Sequence, residues 1–411
     1  MNNKTSNDTV CLRSDHETVF KVTSNSIGAC CKMYPGAKFF TTELDDIKND
    51  LTNGIKNSAC ASCWKYEELG TTSWRLQGNK HYTEKPNKYL IELYFDNTCD
   101  SACIYCSASY SSKWQNEIKN THHEPPPWAL PETDEIHGTV QHSTYIFNYI
   151  SNAAKSRKPT DYYEIILLGG EPLLTTVNKK EILELTVNSF YRYADPSAPL
   201  TIIIQTNGNT PKKLIDKFVN RMNELKNVYK NLVFNISLSA ESTGAIFEFI
   251  RYGCSYNTFV ENLNKWASIG CDISANLAVN AVSLCSLTSY LQLLAEISKK
   301  YNIILDVSVN MVYSLNMSVG ILDYTFSHYC DTAIEFVYEN ADCFYNVNGI
   351  VEKLKHIKNT IGTSMTEYNL NTFKKAMTYF KKVRNTSLET VNPELYSYVN
   401  EKLTQYATGY I

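Results

Sequence analysis

The sequence predicts an α/β protein with a partial (β/α)6 barrel of the TIM-like kind at its centre. Six segments are short, rich in β-branched residues and largely apolar on both faces, which is typical of a parallel sheet covered by helices. These strand candidates are residues 88–95, 164–168, 200–205, 232–238, 272–279 and 303–312. Helical patterns separate them at residues 139–154, 179–193, 211–229, 258–268 and 288–300. In such a barrel the reactive site lies at the carboxyl ends of the strands, and a doubly wound open sheet is the alternative.

Three segments of the chain differ in their pattern. Residues 1–85 contain cysteines and no clear alternation of strands and helices, so we interpret them as a small, separate metal-binding module. Residues 86–318 carry the barrel pattern, and residues 319–411 become mostly helical. We therefore expect a cysteine-rich N-terminal module, a barrel core and a helical C-terminal extension.

Composition excludes several classes of protein. Of 411 residues 43% are hydrophobic and 20% are charged, so the chain can bury a large core and is not of the disordered class. The charges, 39 Lys+Arg against 42 Asp+Glu, give a net charge of −3 without a long basic run, which does not indicate a nucleic-acid partner. The first ten residues lack an apolar segment, and no apolar run approaches the roughly 20 residues of a membrane span. We expect a cytoplasmic protein with no membrane partner.

The cysteines carry most of the functional information. Thirteen is an odd number and too sparse for a disulfide scaffold, so clustered cysteines in a reducing compartment indicate metal binding or thiol chemistry. Eight of them precede residue 107. We expect the five others to be small buried apolar residues; they are Cys254, Cys271, Cys285, Cys330 and Cys343.

A cysteine triplet follows the first barrel strand. Cys99, Cys103 and Cys106 have the spacing C-x3-C-x2-C. Three thiolates on one tight loop can hold three irons of a [4Fe-4S] cluster and leave the fourth iron open to a small molecule. Two alternatives remain, because positions i, i+4 and i+7 also form one buried stripe of a helix, and cysteines also bind zinc.

The segment CDSACIYC resembles the signature of the radical S-adenosylmethionine (SAM) enzymes, including the aromatic Tyr105 before the last cysteine. The resemblance implies a reduced cluster that cleaves bound SAM to methionine and a 5′-deoxyadenosyl radical. That radical would abstract a hydrogen atom from the substrate, and a reducing electron donor is required.

A second motif follows the second strand. Gly169, Gly170, Glu171 and Pro172 stand where backbone carbonyls and a carboxylate at a strand end could accept hydrogen bonds from a ligand ammonium. The motif resembles the GGEP element of the same family, which holds the SAM amino group. A glycine-rich turn stopped by proline is the alternative.

Polar residues follow the next two strands. Asn207 and Gly208 resemble the T-N-G turn of the family and are suited to a left-handed backbone, although a plain turn is also possible. Ser237 and Ser239 lie in the segment ISLSAE, where the family places polar groups toward the SAM ribose and carboxylate.

Four more residues extend the resemblance. Glu241 stands in the same segment but departs from the commoner Asp-Gly ending of the family. Arg251 resembles the arginine of the I-R-x-G stretch, whose guanidinium can pair with the SAM carboxylate, or it is a surface helix residue. Asn276 and Asn280, on or after the fifth strand, are candidates to face the adenosine.

The N-terminal cysteines resemble a twitch-type auxiliary-cluster module of radical SAM proteins, here before the barrel rather than after it. Cys60 and Cys63 form a C-x2-C pair, preceded by Cys11 and the pair Cys30-Cys31. The residues that follow and share the resemblance are Trp64, Glu67, Gly70, Ser73 and Arg75. The tail segment VRNTSLETVNPEL, which begins one residue before Arg384, also resembles the tail of these proteins.

The resemblance implies an auxiliary [4Fe-4S] cluster held by Cys11, Cys30, Cys60 and Cys63. The related module has a glycine five residues before the ligand, and Asn25 takes that place before Cys30. Asn tolerates a left-handed backbone better than most residues do. Cys31 is then a free thiol or a substitute ligand, and a four-cysteine structural zinc site is the alternative.

Taken together, these patterns predict a radical SAM enzyme with an auxiliary cluster. The twitch resemblance favours a peptide or protein as substrate, because similar modules occur in peptide-modifying relatives, and a small-molecule substrate is the alternative. A non-catalytic zinc or iron–sulfur binding module is a competing class, but it leaves the GGEP motif without a reason.

Overall fold

The computed structural model describes residues 9–34, 36–131, 140–314 and 316–408. In this part of the chain there are eleven strands. They are β1 Glu17–Lys21, β2 Ser26–Gly28, β3 Ala37–Lys38, β4 Lys88–Tyr94, β5 Tyr162–Leu168, β6 Thr176–Val177, β7 Lys180–Glu181, β8 Leu200–Thr206, β9 Leu232–Ser239, β10 Asp272–Val279 and β11 Asp306–Met311.

Sixteen α-helices accompany the strands in the described residues. The first eight are α1 Arg13–His16, α2 Glu43–Thr52, α3 Ala61–Glu68, α4 Trp74–Glu84, α5 Ser112–Asn120, α6 Val140–Ser156, α7 Ile182–Phe190 and α8 Lys212–Val228. The others are α9 Gly244–Ile250, α10 Tyr256–Ser268, α11 Leu287–Tyr301, α12 Ser327–Glu339, α13 Val347–Thr360, α14 Glu367–Arg384, α15 Leu388–Val391 and α16 Pro393–Ala407. In the described residues no helix is both long and apolar enough to cross a membrane.

The chain forms two compact units, each made of separate stretches of sequence. Unit 1 consists of Met1–Asn97, Thr133–Ile204 and Asn220–Phe234. Unit 2 consists of Thr98–Glu132, Gln205–Val219 and Asn235–Ile411.

Unit 1 is built on a mostly parallel sheet with the strand order β8-β5-β4-β1-β2-β3. β4 pairs in parallel with β5 on one side, where Ile91 faces Ile165, and with β1 on the other, where Glu92 faces Val19. β5 pairs in parallel with β8, and β1 pairs antiparallel with β2. The core strands thus have the order in which they occur in the sequence.

Unit 2 contains the parallel strands β10 and β11 and the larger part of β9 side by side. Ser237 faces Ser274, and Asn276 faces Ser308 in the next strand. Along each strand buried apolar residues alternate with more exposed ones, because successive side chains point to opposite faces. One face is therefore apolar and buried, and the other is polar and partly open.

All six predicted strands are confirmed, and so is an α/β protein with a mostly parallel sheet. Within each unit the parallel neighbours follow the sequence order without the reversal that defines a doubly wound sheet. That order is the one a (β/α) barrel wall requires. Closure of the strands into a partial barrel stays a prediction.

The N-terminal segment contains regular elements, one of which joins the main sheet. Helices α1 to α4 and strands β1 to β3 lie in it, and β1 joins β4 in one sheet. Strands and helices do not alternate here, as expected, because three strands follow one another and three helices come after them. β1 escapes a pattern search because it buries polar residues with distant partners: Tyr82 Oη donates to Glu17 Oε1 at 2.8 Å, and Thr18 Oγ1 lies 2.7 Å from Tyr149 Oη. The division into domains at residues 85 and 318 stays a prediction.

The C-terminal segment and the scattered cysteines match expectation. Beyond β11 the regular elements of the described residues are the helices α12 to α16 and short 3-10 turns. Four of the five scattered cysteines are buried, and Cys285 is partly buried.

Candidate functional site

The cysteine triplet lies in a turn-rich segment between β4 and α5. Residues 95–111 form no helix. The alternative in which Cys99, Cys103 and Cys106 form one buried stripe of a helix is therefore wrong. Ser101 Oγ lies 3.3 Å from Cys99 Sγ and 3.6 Å from Cys103 Sγ. The backbone N–H of Cys106 donates to the carbonyl of Cys103 at 3.0 Å. Ser101 thus lies between the thiols of Cys99 and Cys103, and a backbone turn leads from Cys103 to Cys106.

Backbone hydrogen bonds within unit 2 fix this loop. The N–H groups of Ala102 and Ile104 donate to the carbonyls of Tyr252 and Ile250, each at 2.8 Å. Trp114 Nε1 donates to the carbonyl of Cys103 at 2.8 Å. The backbone that carries the thiols is therefore anchored on two sides.

A buried polar triad lies beside the loop. Arg251 Nη2 donates to Glu241 Oε2 at 2.6 Å and to Tyr105 Oη at 2.9 Å, and Tyr105 Oη donates to the same Glu241 oxygen at 3.1 Å. Burial by itself lowers the pKa of Arg251, but Glu241, Tyr105 and Cys103 together outweigh it and raise that pKa well above its ordinary value. Among the described residues, Glu241 Oε1 and Arg251 Nε are buried without a hydrogen-bond partner. Arg251 is thus not a surface residue.

The buried thiols of the triplet favour their protonated form in the absence of metal. Burial raises the pKa of Cys103, and the Arg251 guanidinium, whose Nη1 lies 3.9 Å from Cys103 Sγ, lowers it in part. Burial also raises the pKa of Cys106, and the neighbouring cysteines add to the shift. Metal binding here would release protons and depend on pH.

Asn207 ties the next turn to the cysteine loop. Its Nδ2 donates to Asp100 Oδ1 at 2.7 Å, and its Oδ1 accepts from the N–H of Asn209 at 2.8 Å. Gly208 has the left-handed backbone expected of this turn, with φ of 71°, whereas Asn207 is not among the residues with positive φ. The expectation of a left-handed Asn207 is therefore wrong.

The remaining predicted residues of unit 2 have different surroundings. Ser237 and Ser239 lie on the partly open face of β9, where Gln205 Nε2 donates to Ser239 Oγ at 3.4 Å. Asn276 accepts a hydrogen bond from Asn310 on the corresponding face of β10 and β11. Asn280 is fully buried and caps its own turn, with Oδ1 accepting from two backbone N–H groups. These hydrogen bonds explain the buried position of the Asn280 side chain without a ligand.

In unit 1 the GGEP motif forms a tight turn directly after β5. Gly169 has φ of 119°, and a Cβ there would lie 2.6 Å from the carbonyl oxygen of Asp96, so only glycine fits. The N–H of Gly170 donates to that same oxygen at 3.0 Å. Glu171 is fully buried, and its Oε1 accepts from the N–H of Leu173 at 3.2 Å. Pro172 lies inside this turn, and its carbonyl accepts a hydrogen bond from the N–H of Thr175 at 3.2 Å.

The N-terminal cysteines meet at a second site, also in unit 1. One pocket, with about 300 Å³ of empty space including its opening to solvent, is lined by Cys11, Cys30, Cys60 and Cys63. Burial raises the pKa of each of Cys11, Cys30 and Cys60, the last to about 12. Cys31 does not line this pocket.

Arg75 and Glu67, which share the resemblance described above, form an ion pair at this pocket. Arg75 lines the pocket, and its Nε and Nη2 donate to the two carboxylate oxygens of Glu67 at 3.0 and 2.7 Å. Its guanidinium also lies over the ring of Trp64, 4.9 Å from the centroid. Asn25 has the left-handed backbone expected of it, with φ of 49° and ψ of 42°.

The donor sets of both sites fit iron–sulfur clusters in kind, because cysteine thiolates are the usual cluster ligands. Across the residues that the structure describes, no three His, Cys, Asp or Glu side chains are already arranged to hold a metal ion. Ligand sets commonly converge only when the metal binds. Ligation by either cysteine set therefore stays a prediction.

Sequence reasoning missed the support beneath the cysteine loop. Arg384, whose side chain is 1% exposed, pairs with Glu117 at 2.9 Å and lies 4.3 Å from the ring centroid of Trp114. Trp114 is the residue that binds the carbonyl of Cys103. The tail resemblance marked Arg384, but no local signal marks a partner 267 residues away.

No protein-family model matches the chain, and no curated protein matches it. Solved structures of limited similarity include native anSMEcpe with bound AdoMet, at 13% identity over 61% of each chain with a TM-score of 0.42. Another is Streptococcus suis SuiB bound to precursor peptide SuiA, at 13% identity over 69% of this chain and 60% of that chain, with a TM-score of 0.36. The chain thus spans about three fifths of the length of each. With TM-scores below 0.5, the function has to be inferred from the chain's own residues.

Proposed function

We propose that this chain is a radical SAM enzyme whose SAM-binding [4Fe-4S] cluster is held by Cys99, Cys103 and Cys106. The observation that carries the proposal is a C-x3-C-x2-C triplet on an anchored loop, with the buried guanidinium of Arg251 3.9 Å from one of its sulfurs. Such a cluster supplies the electron that cleaves SAM to methionine and a 5′-deoxyadenosyl radical, which abstracts a substrate hydrogen atom.

The protein's own residues bind and orient in this proposal. Arg251 Nε and Glu241 Oε1 are a donor and an acceptor that remain unused within the described chain, so both can contact the polar groups of SAM. Tyr105 holds the two side chains in place. The sequence resemblance assigns the SAM amino group to the motif from Gly169 to Pro172, and the ribose and carboxylate to Ser237 and Ser239.

We further propose an auxiliary [4Fe-4S] cluster at Cys11, Cys30, Cys60 and Cys63, supported by the pocket that these four residues line. Four protein ligands leave no open iron, which suits electron relay or structural support. The substrate class follows from the twitch resemblance, which favours a peptide or protein over a small molecule. A cytoplasmic location remains our expectation.

The test is reductive SAM cleavage by the chain after anaerobic cluster reconstitution. Wild-type protein with a chemical reductant should form 5′-deoxyadenosine, measured by chromatography, and the Cys99→Ala, Cys103→Ala, Cys106→Ala variant should not. The matched control is Cys271→Ala, Cys330→Ala, Cys343→Ala, which removes three buried cysteines outside both proposed sites. Undiminished 5′-deoxyadenosine from the first triple variant refutes the assignment.

A further inference from the structure

Helix α14 presents a row of positive charge to solvent. Lys374, Lys375, Lys381 and Lys382 are exposed, and no acidic residue lies between them along the helix. We call these four residues the lysine row. Lys381 pairs with Glu389 at 3.6 Å, but both side chains are more than half exposed, and such pairs contribute little. The row therefore keeps most of its charge in a chain whose net charge is −3.

An apolar groove lies beside the lysine row, between α14 and the helices α15 and α16. Its empty space is about 670 Å³ including the opening to solvent, and Phe373, Met377 and Leu388 are among its apolar lining residues. Lys374 and Lys381 also line it. An apolar centre with a charged rim is the usual anatomy of a protein–protein interface.

The opposite, buried side of α14 contacts Trp114 in α5, the helix that follows the cysteine loop. Tyr379 stacks on Trp114 with 6.3 Å between ring centroids, and Arg384 lies over the same ring. Trp114 in turn donates to the carbonyl of Cys103. One helix, about 10 to 12 Å across, therefore separates a positively charged surface from the residues that support Cys103.

We propose that the lysine row and its groove are the docking site for an acidic one-electron carrier protein that reduces the cluster at Cys99, Cys103 and Cys106. This rests on the proposed function. One electron passes from the reduced carrier to the oxidised cluster, so the carrier is oxidised by one electron and no bond forms or breaks. An acidic substrate peptide would feel the same charge, but the carrier is favoured because the helix that carries the row packs on Trp114, and Trp114 binds the carbonyl of Cys103, a ligand of the cluster that must receive the electron.

The test compares two variants of the reconstituted chain with the same change in charge. The first carries Lys374→Glu, Lys375→Glu, Lys381→Glu and Lys382→Glu. The control carries glutamate at four exposed lysines of other helices, Lys212, Lys213, Lys353 and Lys355. The probe is an acidic flavodoxin, whose oxidised form is used for calorimetric binding and whose reduced form is used for stopped-flow reduction of the cluster.

At low ionic strength the row variant should lose roughly tenfold or more in both flavodoxin affinity and reduction rate, because steering by opposite charge is worth about 10- to 1,000-fold in association rate. The control should lose less than about threefold. Near 1 M salt, where the Debye length is about 3 Å, the rates of the row variant and wild type should converge.

A second reductant separates this proposal from the proposed function. Illuminated 5-deazariboflavin is small and uncharged, so wild type and the row variant should form equal amounts of 5′-deoxyadenosine with it. Equal flavodoxin binding and reduction in the row variant and the control would overturn the docking site, as would a wild-type chain that does not bind flavodoxin. If the row variant loses binding of an acidic peptide but flavodoxin still reduces its cluster as fast as that of wild type, the row is a docking site for the substrate, and the proposal of a carrier docking site is overturned. Absence of 5′-deoxyadenosine from wild type with deazariboflavin contradicts the proposed function instead.

Discussion

Replacing Arg251 with methionine should be among the most damaging single changes in unit 2. Methionine is of similar length and apolar, so the substitution removes the charge while filling most of the space. The Arg251 side chain is 4% exposed, its partner Glu241 is fully buried, and their closest atoms are 2.6 Å apart. Without the guanidinium, Glu241 keeps only Tyr105 as a described partner.

The expected cost follows from that burial. Breaking a buried ion pair by removing one partner typically costs about 3 to 5 kcal/mol, because the other charge is left uncompensated away from water. Replacing both charges with neutral groups removes this penalty. The double variant Arg251→Met, Glu241→Gln should therefore be more stable than Arg251→Met alone.

Urea unfolding of the metal-free chain, followed by circular dichroism, measures these differences. Lys265→Met is the control, because it breaks an ion pair to Asp216 in which both side chains are more than two fifths exposed, and it should cost less than about 1 kcal/mol. If Arg251→Met costs no more than this control, or if the double variant is less stable than the single one, the buried pair does not have the role we derive.

Three further predictions concern other parts of the molecule. Glu171→Gln should weaken SAM binding by roughly tenfold to a hundredfold in equilibrium dialysis, because a lost charge-assisted hydrogen bond costs about 1.5 to 3 kcal/mol; unchanged affinity would remove the role. Burial raises the pKa of Glu92 to about 7, so its contribution to stability is present below its unfolded-state value of about 4.3 and is lost as the pH rises through 7. Glu92→Gln should then be more stable than wild type at pH 8, by up to about 3 kcal/mol in urea unfolding, and a lower stability there would contradict the shift. The Cys99→Ala, Cys103→Ala, Cys106→Ala variant should retain about four irons per chain at the auxiliary site, measured by anaerobic iron analysis. Zinc in place of iron, with no iron–sulfur absorbance, would contradict the auxiliary cluster but not the radical SAM proposal.

The strands that could be predicted from the sequence are those whose buried residues form a local run of apolar side chains. Segments such as Leu200–Thr206 can be recognised because β-branched residues, most of them apolar, dominate a run long enough to show a pattern. The strands β1, β2 and β3 are only five, three and two residues long. In β1, moreover, Glu17 and Thr18 are buried by partners that are remote in the sequence, so no local pattern could predict it.

The same distinction between local patterns and contacts remote in the sequence applies to the candidate sites. Motifs with short spacing, such as C-x3-C-x2-C and GGEP, could be identified directly because their chemistry lies within a few residues. The pairing of Arg251 with Glu241 and the support of Trp114 by Arg384 depend on contacts that only the folded chain creates. The side chain of Asn207 was likewise unpredictable, because its use depends on Asp100, 107 residues away.

The central claim is that three cysteines hold a cluster with one iron open to SAM. The most direct measurement is electron paramagnetic resonance of the reduced Cys11→Ala, Cys30→Ala, Cys60→Ala, Cys63→Ala variant, which should keep only the cluster at Cys99, Cys103 and Cys106. We predict a [4Fe-4S] signal that changes when SAM is added and that is absent once those three cysteines are also replaced. A signal that SAM leaves unchanged, or one that survives their replacement, would contradict the account.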